Sequence, residues 1–172
     1  MKKIMFNDKF LLTQAVLNGT KTMTRRVVKK EIPIGNWQET EKTLRYKVGE
    51  VVAIAQSYLD IKKPQFDKFG HDVAGNTNKM FVKADLMPHH IKITDVRVER
   101  LQDITDEDCL KEGIIHLTAL GIGGYGYITA DGECCMCGTP RDAYAELINE
   151  ICGKGTWERN PWVVAYTFER VD

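Results

Sequence analysis

The placement of the β-forming runs constrains the fold of this chain most. Thr22–Val28, Val51-Val52-Ala53-Ile54-Ala55, Ile91–Leu101 and Trp162–Val171 lie far apart, with no regular alternation of strand and helix between them. Parallel α/β folds need that alternation, because each parallel pair requires a long, usually helical, crossover. The pattern therefore predicts an α+β chain built on a small mixed-sheet barrel with short flanking helices. Ile91, Ile93, Val96 and Val98 alternate with one slip of the period, so this run is expected to form a half-buried strand with one irregularity.

Helix and turn signals fill in the rest. Ile4-Met5-Phe6 is expected to be a short strand, followed by a helix capped by Asn7 or Asp8 and running to about Asn18. Phe10, Leu11, Ala15 and Leu17 would form its buried side, and Gly19 would end it in a left-handed conformation. Residues 31–47 read as a long loop and 60–80 as a polar exposed excursion. Thr105 should cap a short helix ending before Gly113. Residues 116–138, rich in glycine and cysteine, read as irregular. Thr139-Pro140-Arg141-Asp142 starts a helix to about Cys152, with proline in the first turn and a polar cap before it.

At 172 residues the chain has the length of one domain, and its apolar fraction of 43% suffices for one core. Its 24 basic and 24 acidic residues cancel, which excludes a general electrostatic coat for nucleic acid. The charges are nonetheless unevenly spread. Residues 1–30 hold eight Lys or Arg, including Lys2, Lys3, Lys9, Lys21, Arg25, Arg26, Lys29 and Lys30, against Asp8 alone. Residues 95–112 reverse the balance, with seven acids to three bases. Such a basic arm on a neutral protein reads as a local anion site. Met1-Lys2-Lys3 leads into no signal peptide, and no run has the length of a membrane span, so a cytoplasmic protein without membrane association is expected. Five cysteines, four of them after residue 130, fit a reducing cytosol better than a disulfide framework.

The chemistry concentrates between Gly19 and Arg26. Lys21 offers a point charge, Arg25 and Arg26 offer planar forks for phosphate or carboxylate, and Thr24 offers a hydroxyl. In a regular strand Lys21 and Thr24 would face opposite ways, so they converge only if the strand begins after Lys21.

Gly19, Lys21, Thr24 and Arg26 spell Gly-x-Lys-x-x-Thr-x-Arg, which resembles the signature of the ASCH superfamily, whose fold is a PUA-like β-barrel. The resemblance extends to Tyr46–Val51, to Ile93–Leu101, to Ile104–Asp108 running into Glu112-Gly113-Ile114, and to Trp157–Arg170. It is strongest to the phage and prophage branch. It implies a single domain over 1–172 with variable insertions near 60–85 and 116–138, an α+β PUA-like mixed barrel, no cofactor, and a basic cleft binding RNA or a nucleotide through Gly19, Lys21, Thr24, Arg25 and Arg26. One branch of the superfamily hydrolyses the acetyl amide of N4-acetylcytidine with a lysine, a threonine and a glutamate. Lys21 and Thr24 match the first two, and helix context makes Glu112 the third. A lysine with its pKa lowered by burial or by Arg25 and Arg26 would activate Thr24, and Glu112 would manage the leaving amine's proton or orient water. Gln56 stands where the phage-type strand would carry an acid. A third reading is an accessory protein whose basic arm meets a protein partner. An enclosed pocket converging on Lys21 and Thr24 would favour hydrolysis, and an open basic surface with exposed aromatics would favour RNA.

Other motifs carry weaker signals. Cys134 and Cys137 have Cys-x-x-Cys spacing but no second pair; His116 and Cys152 would have to complete a metal site, so none is expected. Gly121, Gly123 and Gly126 mimic a dinucleotide fingerprint without the helix it requires. Tyr125 and Tyr127 would sooner close a core edge than stack on a base, and Trp157 and Trp162 would pack at a corner turned by Asn160-Pro161. His89 and His90, adjacent at a strand's start, should point to opposite sides.

Overall fold

The computed structural model of the chain describes residues 1–28, 33 and 35–172. The elements run β1 (Lys3–Ile4), α1 (Leu12–Leu17), β2 (Met23–Val27), α2 (Trp37–Thr43), β3 (Val51–Ile54), β4 (His90–Arg100) and α3 (Asp106–Lys111). They continue through β5 (Ile115–His116), β6 (Tyr125–Ile128), β7 (Cys134–Cys137), α4 (Pro140–Cys152), α5 (Thr156–Arg159) and β8 (Trp162–Arg170). The five-stranded main sheet has the order β1-β3-β4-β8-β2, and β5-β6-β7 form a second, three-stranded sheet. β1 is parallel to β3; the other pairs are antiparallel.

The α+β class and mixed sheet follow the expectation, but no closed barrel forms among the described residues. β1 and β2 are the two edges of the main sheet, and a side chain links them in place of a strand ladder. The Arg26 guanidinium of β2 donates to the Met5 carbonyl just beyond β1 at 2.6 Å. The space between these edges is the cavity described below.

β4 and β8 form the central pair, and their register shifts between Ile93 and Asp95. That bulge is the predicted irregularity. One extra residue lets Ile91, Ile93 and Val96 all turn into the core, where each is buried. From the other side α4 adds Ala143, Tyr144, Leu147 and Ile148. Its start follows the predicted cap, with Thr139 accepting from the Asp142 amide at 3.1 Å. Thr105 caps α3 through the Asp108 amide in the same way.

Several elements depart from expectation. β1 lies at Lys3–Ile4, ahead of the expected Ile4–Phe6. α1 begins only at Leu12, because the Asp8 carboxylate is taken by the Thr13 hydroxyl at 2.5 Å and Leu11 turns left-handed at φ 55°. Leu11 is consequently exposed, and Leu12 and Val16 replace it on the buried side. Gly19 does close the helix with φ +75°. Within 31–47, part of which lies outside the described residues, Trp37–Thr43 is helical. Its polar sequence is that of a helix burying Thr40 alone, with Asn36 as cap. Residues 116–138 are also more regular than expected. A Cβ on Gly126 would lie 1.8 Å from the Cys135 carbonyl oxygen, so this glycine permits close approach of β6 and β7 and does not mark a flexible loop.

Candidate functional site

Chain geometry brings the Gly19–Arg26 segment to one place. The amides of Thr20 and Lys21 both bond to the Ala15 carbonyl, at 2.9 and 3.0 Å, so Lys21 belongs to the helix-ending turn. β2 begins two residues later at Met23, which meets the condition for Lys21 and Thr24 to converge. Both line a cavity of about 500 Å³, together with Arg25, Arg26 and Glu112. Phe6, Tyr46, Tyr144 and Tyr166 supply aromatic walls, and Leu147, Ile148 and Ile151 of α4 an aliphatic one.

Lys21 is only 2% exposed. Its ammonium donates to the Met23 carbonyl at 2.7 Å, the Glu112 carbonyl at 2.6 Å and the Glu112 carboxylate at 2.8 Å. Burial pushes the Lys21 pKa down; Glu112 opposes that shift, and Arg26 and Arg25 add to it. Glu112 reaches this position as the residue closing α3, and its other oxygen lies 3.3 Å from Arg25.

Arg25 is the hub of a buried ion network. Its side chain is 0% exposed and pairs with Glu99 at 2.6 Å and Asp108 at 2.8 Å as well as with Glu112. Arg97 pairs with the same Asp108 oxygen at 2.9 Å. Burial alone would lower the Arg25 pKa, but Glu112, Asp108 and Glu99 outweigh it and hold the guanidinium charged. Asp108 in turn stays below the usual carboxylate range: burial opposes this, and Arg25 and Arg97 prevail. Arg25, expected to grip a ligand, lines the cavity and is also paired with three carboxylates.

The basic arm is dispersed in the same way. Lys2 pairs with Glu50 and Lys9 with Glu150, while Lys29 and Lys30 lie outside the described residues. Arg26 differs. It is exposed, lies over the Phe6 ring at 5.8 Å, and has no carboxylate partner among the described residues. Arg45, over Tyr46 at 5.5 Å, is likewise without one. The Thr24 hydroxyl is buried against the cavity and makes no hydrogen bond among the described residues.

Sequence reasoning missed the residues that complete this site. Glu99 and Asp108 were visible only as part of the acidic stretch 95–112, whose partner is the basic Gly19–Arg26 segment. Asp108 and Glu112, four apart, fall on one helical face, the one signal that could have coupled them. Tyr144 carried none. Its hydroxyl is buried without a hydrogen-bond partner among the described residues, and burial, with Glu112 next, raises its pKa well above the usual phenol value.

The remaining motifs lie elsewhere. Gln56 is buried near Met87 and does not line the cavity. Strand alternation separates Cys134 from Cys135 and Cys137, whose sulfurs lie 4.0 Å apart. Burial raises the Cys137 thiol to about 11. Among the described residues no group of three His, Cys, Asp or Glu is placed to hold a metal. No helix among them is long and apolar enough to cross a membrane. Tyr127 packs edge-on against Phe10 at 5.4 Å, and Trp157 against Tyr144 at 6.3 Å. His89 and His90 both direct Nδ1 to Asp172, at 3.5 and 2.8 Å, contrary to expectation, because β4 starts only at His90.

No protein-family model matches the chain, and no curated protein matches it. Solved structures similar to it include the following two. A protein of Enterococcus faecalis V583 carrying the family model DUF984 is 14% identical, over 94% of this chain and 67% of that one, with a TM-score of 0.41. The ASCH domain from Lactobacillus crispatus JV V101 is 11% identical, over 96% of this chain and 75% of that one, with a TM-score of 0.40. Its structural neighbours therefore include an ASCH domain.

Proposed function

We propose that this chain is an ASCH-type protein that binds a nucleobase-bearing ligand, a nucleotide or an RNA nucleotide, in the cavity between β1, β2, α3 and α4. One observation carries the reading: Lys21, Thr24 and Arg26 of the motif, and Glu112 from a segment 91 residues beyond Lys21, line one cavity walled by aromatic rings. Rings take the flat base by stacking, the free Thr24 hydroxyl bonds its edge, and Arg26 and Arg45 receive phosphate. Lys21, Arg25 and Glu112 form the rigid floor.

The free Thr24 hydroxyl beside the Lys21–Glu112 pair favours a second reading, deacylation of an acylated base. The Lys21 ammonium first passes a proton to the Glu112 carboxylate that it meets at 2.8 Å; Thr24 Oγ1 then attacks the amide carbonyl carbon and gives its proton to the resulting neutral amine. Lys21 returns that proton to the exocyclic nitrogen as the carbon–nitrogen bond breaks. Water oriented by Glu112 then hydrolyses the acyl-threonine. The lowered Lys21 pKa supports this sequence of steps.

Calorimetry with cytidine and its monophosphate, run beside a chromatographic assay of N4-acetylcytidine, tests both readings on the wild type and on Thr24→Val. Binding that persists in the variant without turnover in either protein supports recognition alone. Cytidine release lost in the variant supports deacylation. Absence of both binding and turnover in the wild type refutes the proposal.

A further inference from the structure

Between β3 and β4 the chain leaves the sheet, and residues 62–70 are exposed without interruption. The exposed side chains are not the polar set expected of an idle loop. Phe69 is 71% exposed, Phe81 61% and Phe66 59%, so three aromatic rings of one segment face solvent. In sequence Lys68 falls between Phe66 and Phe69, Lys62 and Lys63 precede them, and Lys83 follows Phe81. Lys68 lies over the Phe69 ring at 4.9 Å, and Lys62, Lys63 and Lys83 form no ion pair among the described residues.

The acids of the excursion are occupied within it. Asp60 accepts from the Ser57 amide at 2.8 Å, Asp67 from the Phe69 and His71 amides at 2.8 and 2.9 Å, and Asp72 from the Asn76 amide group at 2.6 Å. The segment is also held in shape. Asn76, 1% exposed, accepts from the Gln65 amide at 2.8 Å and donates to its carbonyl at 2.7 Å, tying the two arms together. Val82 and Met87 bury against Ala53 of β3. The base of the excursion adjoins the cavity: Lys3 donates to the Met80 carbonyl at 2.7 Å, and Lys79 to the Phe6 carbonyl at 2.6 Å, and both Lys3 and Phe6 line the cavity.

We propose that the excursion of residues 58–83 is a second binding surface, for single-stranded nucleic acid, with bases stacked on Phe66, Phe69 and Phe81 and phosphates met by Lys62, Lys63 and Lys68. This goes beyond the cavity reading: it assigns a strand-holding role to a segment outside the motif. Exposed rings with cations nearby in sequence that no carboxylate claims among the described residues are what unstacked bases on a phosphate backbone require. A protein partner would leave the lysines unanswered unless it were acidic, and a duplex hides its base faces. Pre-organisation by Asn76 spares the ordering cost on binding.

The test uses the full chain and labelled single strands of about 12 nucleotides, an oligouridylate and an oligothymidylate, read by fluorescence anisotropy across salt. The expected result is single-strand binding that Phe66→Ala/Phe69→Ala weakens about tenfold or more for the pair, with a melting temperature unchanged. Lys62→Gln/Lys63→Gln/Lys68→Gln should flatten the salt dependence. Equal losses for both oligomers assign the surface to bases and phosphates, and a loss for the oligouridylate alone adds a ribose contact; either supports the proposal. Unchanged affinity in the aromatic variant, a duplex bound as tightly as a single strand, or self-association of the wild type abolished by the same substitutions would overturn it. Cytidine calorimetry on the same variants separates the two readings. Cytidine binding with no effect of the variants on oligomer affinity refutes the surface alone. Oligomer binding without cytidine binding refutes the cavity alone.

Discussion

Replacing Glu112 by Gln keeps the shape of the floor and removes its charge. In the native protein Lys21 has three acceptors, of which Glu112 supplies two, the carboxylate at 2.8 Å and the carbonyl at 2.6 Å. The carbonyls survive the substitution, so Lys21 keeps its hydrogen bonds and loses the counter-charge. Breaking a buried pair while leaving its partner behind costs about 3–5 kcal/mol. Arg25 also loses a counter-charge, but Glu99 and Asp108 still hold it. Against a total of about 5–15 kcal/mol the variant should fold with a clearly lowered urea midpoint. Its stability should also rise with pH. Burial already lowers the Lys21 pKa in the native state, and Glu112 is the group that opposes it. Without Glu112 the folded pKa falls further below the unfolded value. Between those two values the unfolded chain binds the extra proton, so stability increases with pH through that window and is lost as pH falls through the folded pKa. Lys21→Met in the same chain should recover most of the loss, since the uncompensated charge is then gone. A loss under about 1 kcal/mol in Glu112→Gln, or no recovery in the double variant, would refute the account of a buried, charge-paired floor.

Other substitutions probe other parts. Tyr144→Phe removes a buried hydroxyl without a hydrogen-bond partner, so urea unfolding should show unchanged stability or a gain of up to about 1 kcal/mol. Gly126→Ala forces a Cβ onto the Cys135 carbonyl oxygen and should cost about 3 kcal/mol or more, with hydrogen exchange accelerated across β6 and β7 first. Asn76→Ala removes the tie between the arms of the excursion, about 1 kcal/mol for each of its bonds to Gln65 and Asp72; amide exchange at 65–73 should rise while the main sheet is unaffected. Acid should weaken the Arg25 network. The Asp108 pKa is lowered in the fold, so its contribution is present above the unfolded pKa and disappears as pH falls through the folded one, a slope that Asp108→Asn should remove from an acid-unfolding curve.

What could be read from the sequence was local. The bulge in β4 is a slip in an alternating pattern, and the caps of α3 and α4 are Thr followed by an acid, so both are written within a few residues. Lys21 and Thr24 could be placed together because Gly19 fixes where the helix ends. Failures came where distant residues decide. Asp8 looks like a cap until Thr13 and Lys79 are seen to take its carboxylate. The carboxylates that hold Arg25 (Glu99, Asp108 and Glu112) likewise arrive from beyond residue 95 and could not be paired with it from the motif. The glycines of 116–138 signal flexibility only if nothing packs on them, whereas β7 packs on Gly126. The phenylalanines of 58–83 were lost in a polar average, because composition does not say which side chains remain outside.

The open sheet and the charge-paired floor have one explanation. Closing β1 onto β2 with a backbone ladder would fill the space that Lys3, Phe6, Thr24 and Arg26 now line. The chain instead links the edges with one guanidinium and keeps the cavity. Beneath it, buried Lys21 and Arg25, with the more exposed Arg97, are paired with Glu99, Asp108 and Glu112, so these ions largely answer one another and send little field into the cavity. Arg26 and Arg45 then stand as cations without a carboxylate among the described residues at the cavity wall. Six ionised groups serve to position the floor, and Arg26 and Arg45, with Lys3 also on the lining, set the preference for an anion. The basic arm read from the sequence is therefore mostly scaffold, and the anion site within it narrows to the one motif arginine that Glu99, Asp108 and Glu112 leave free.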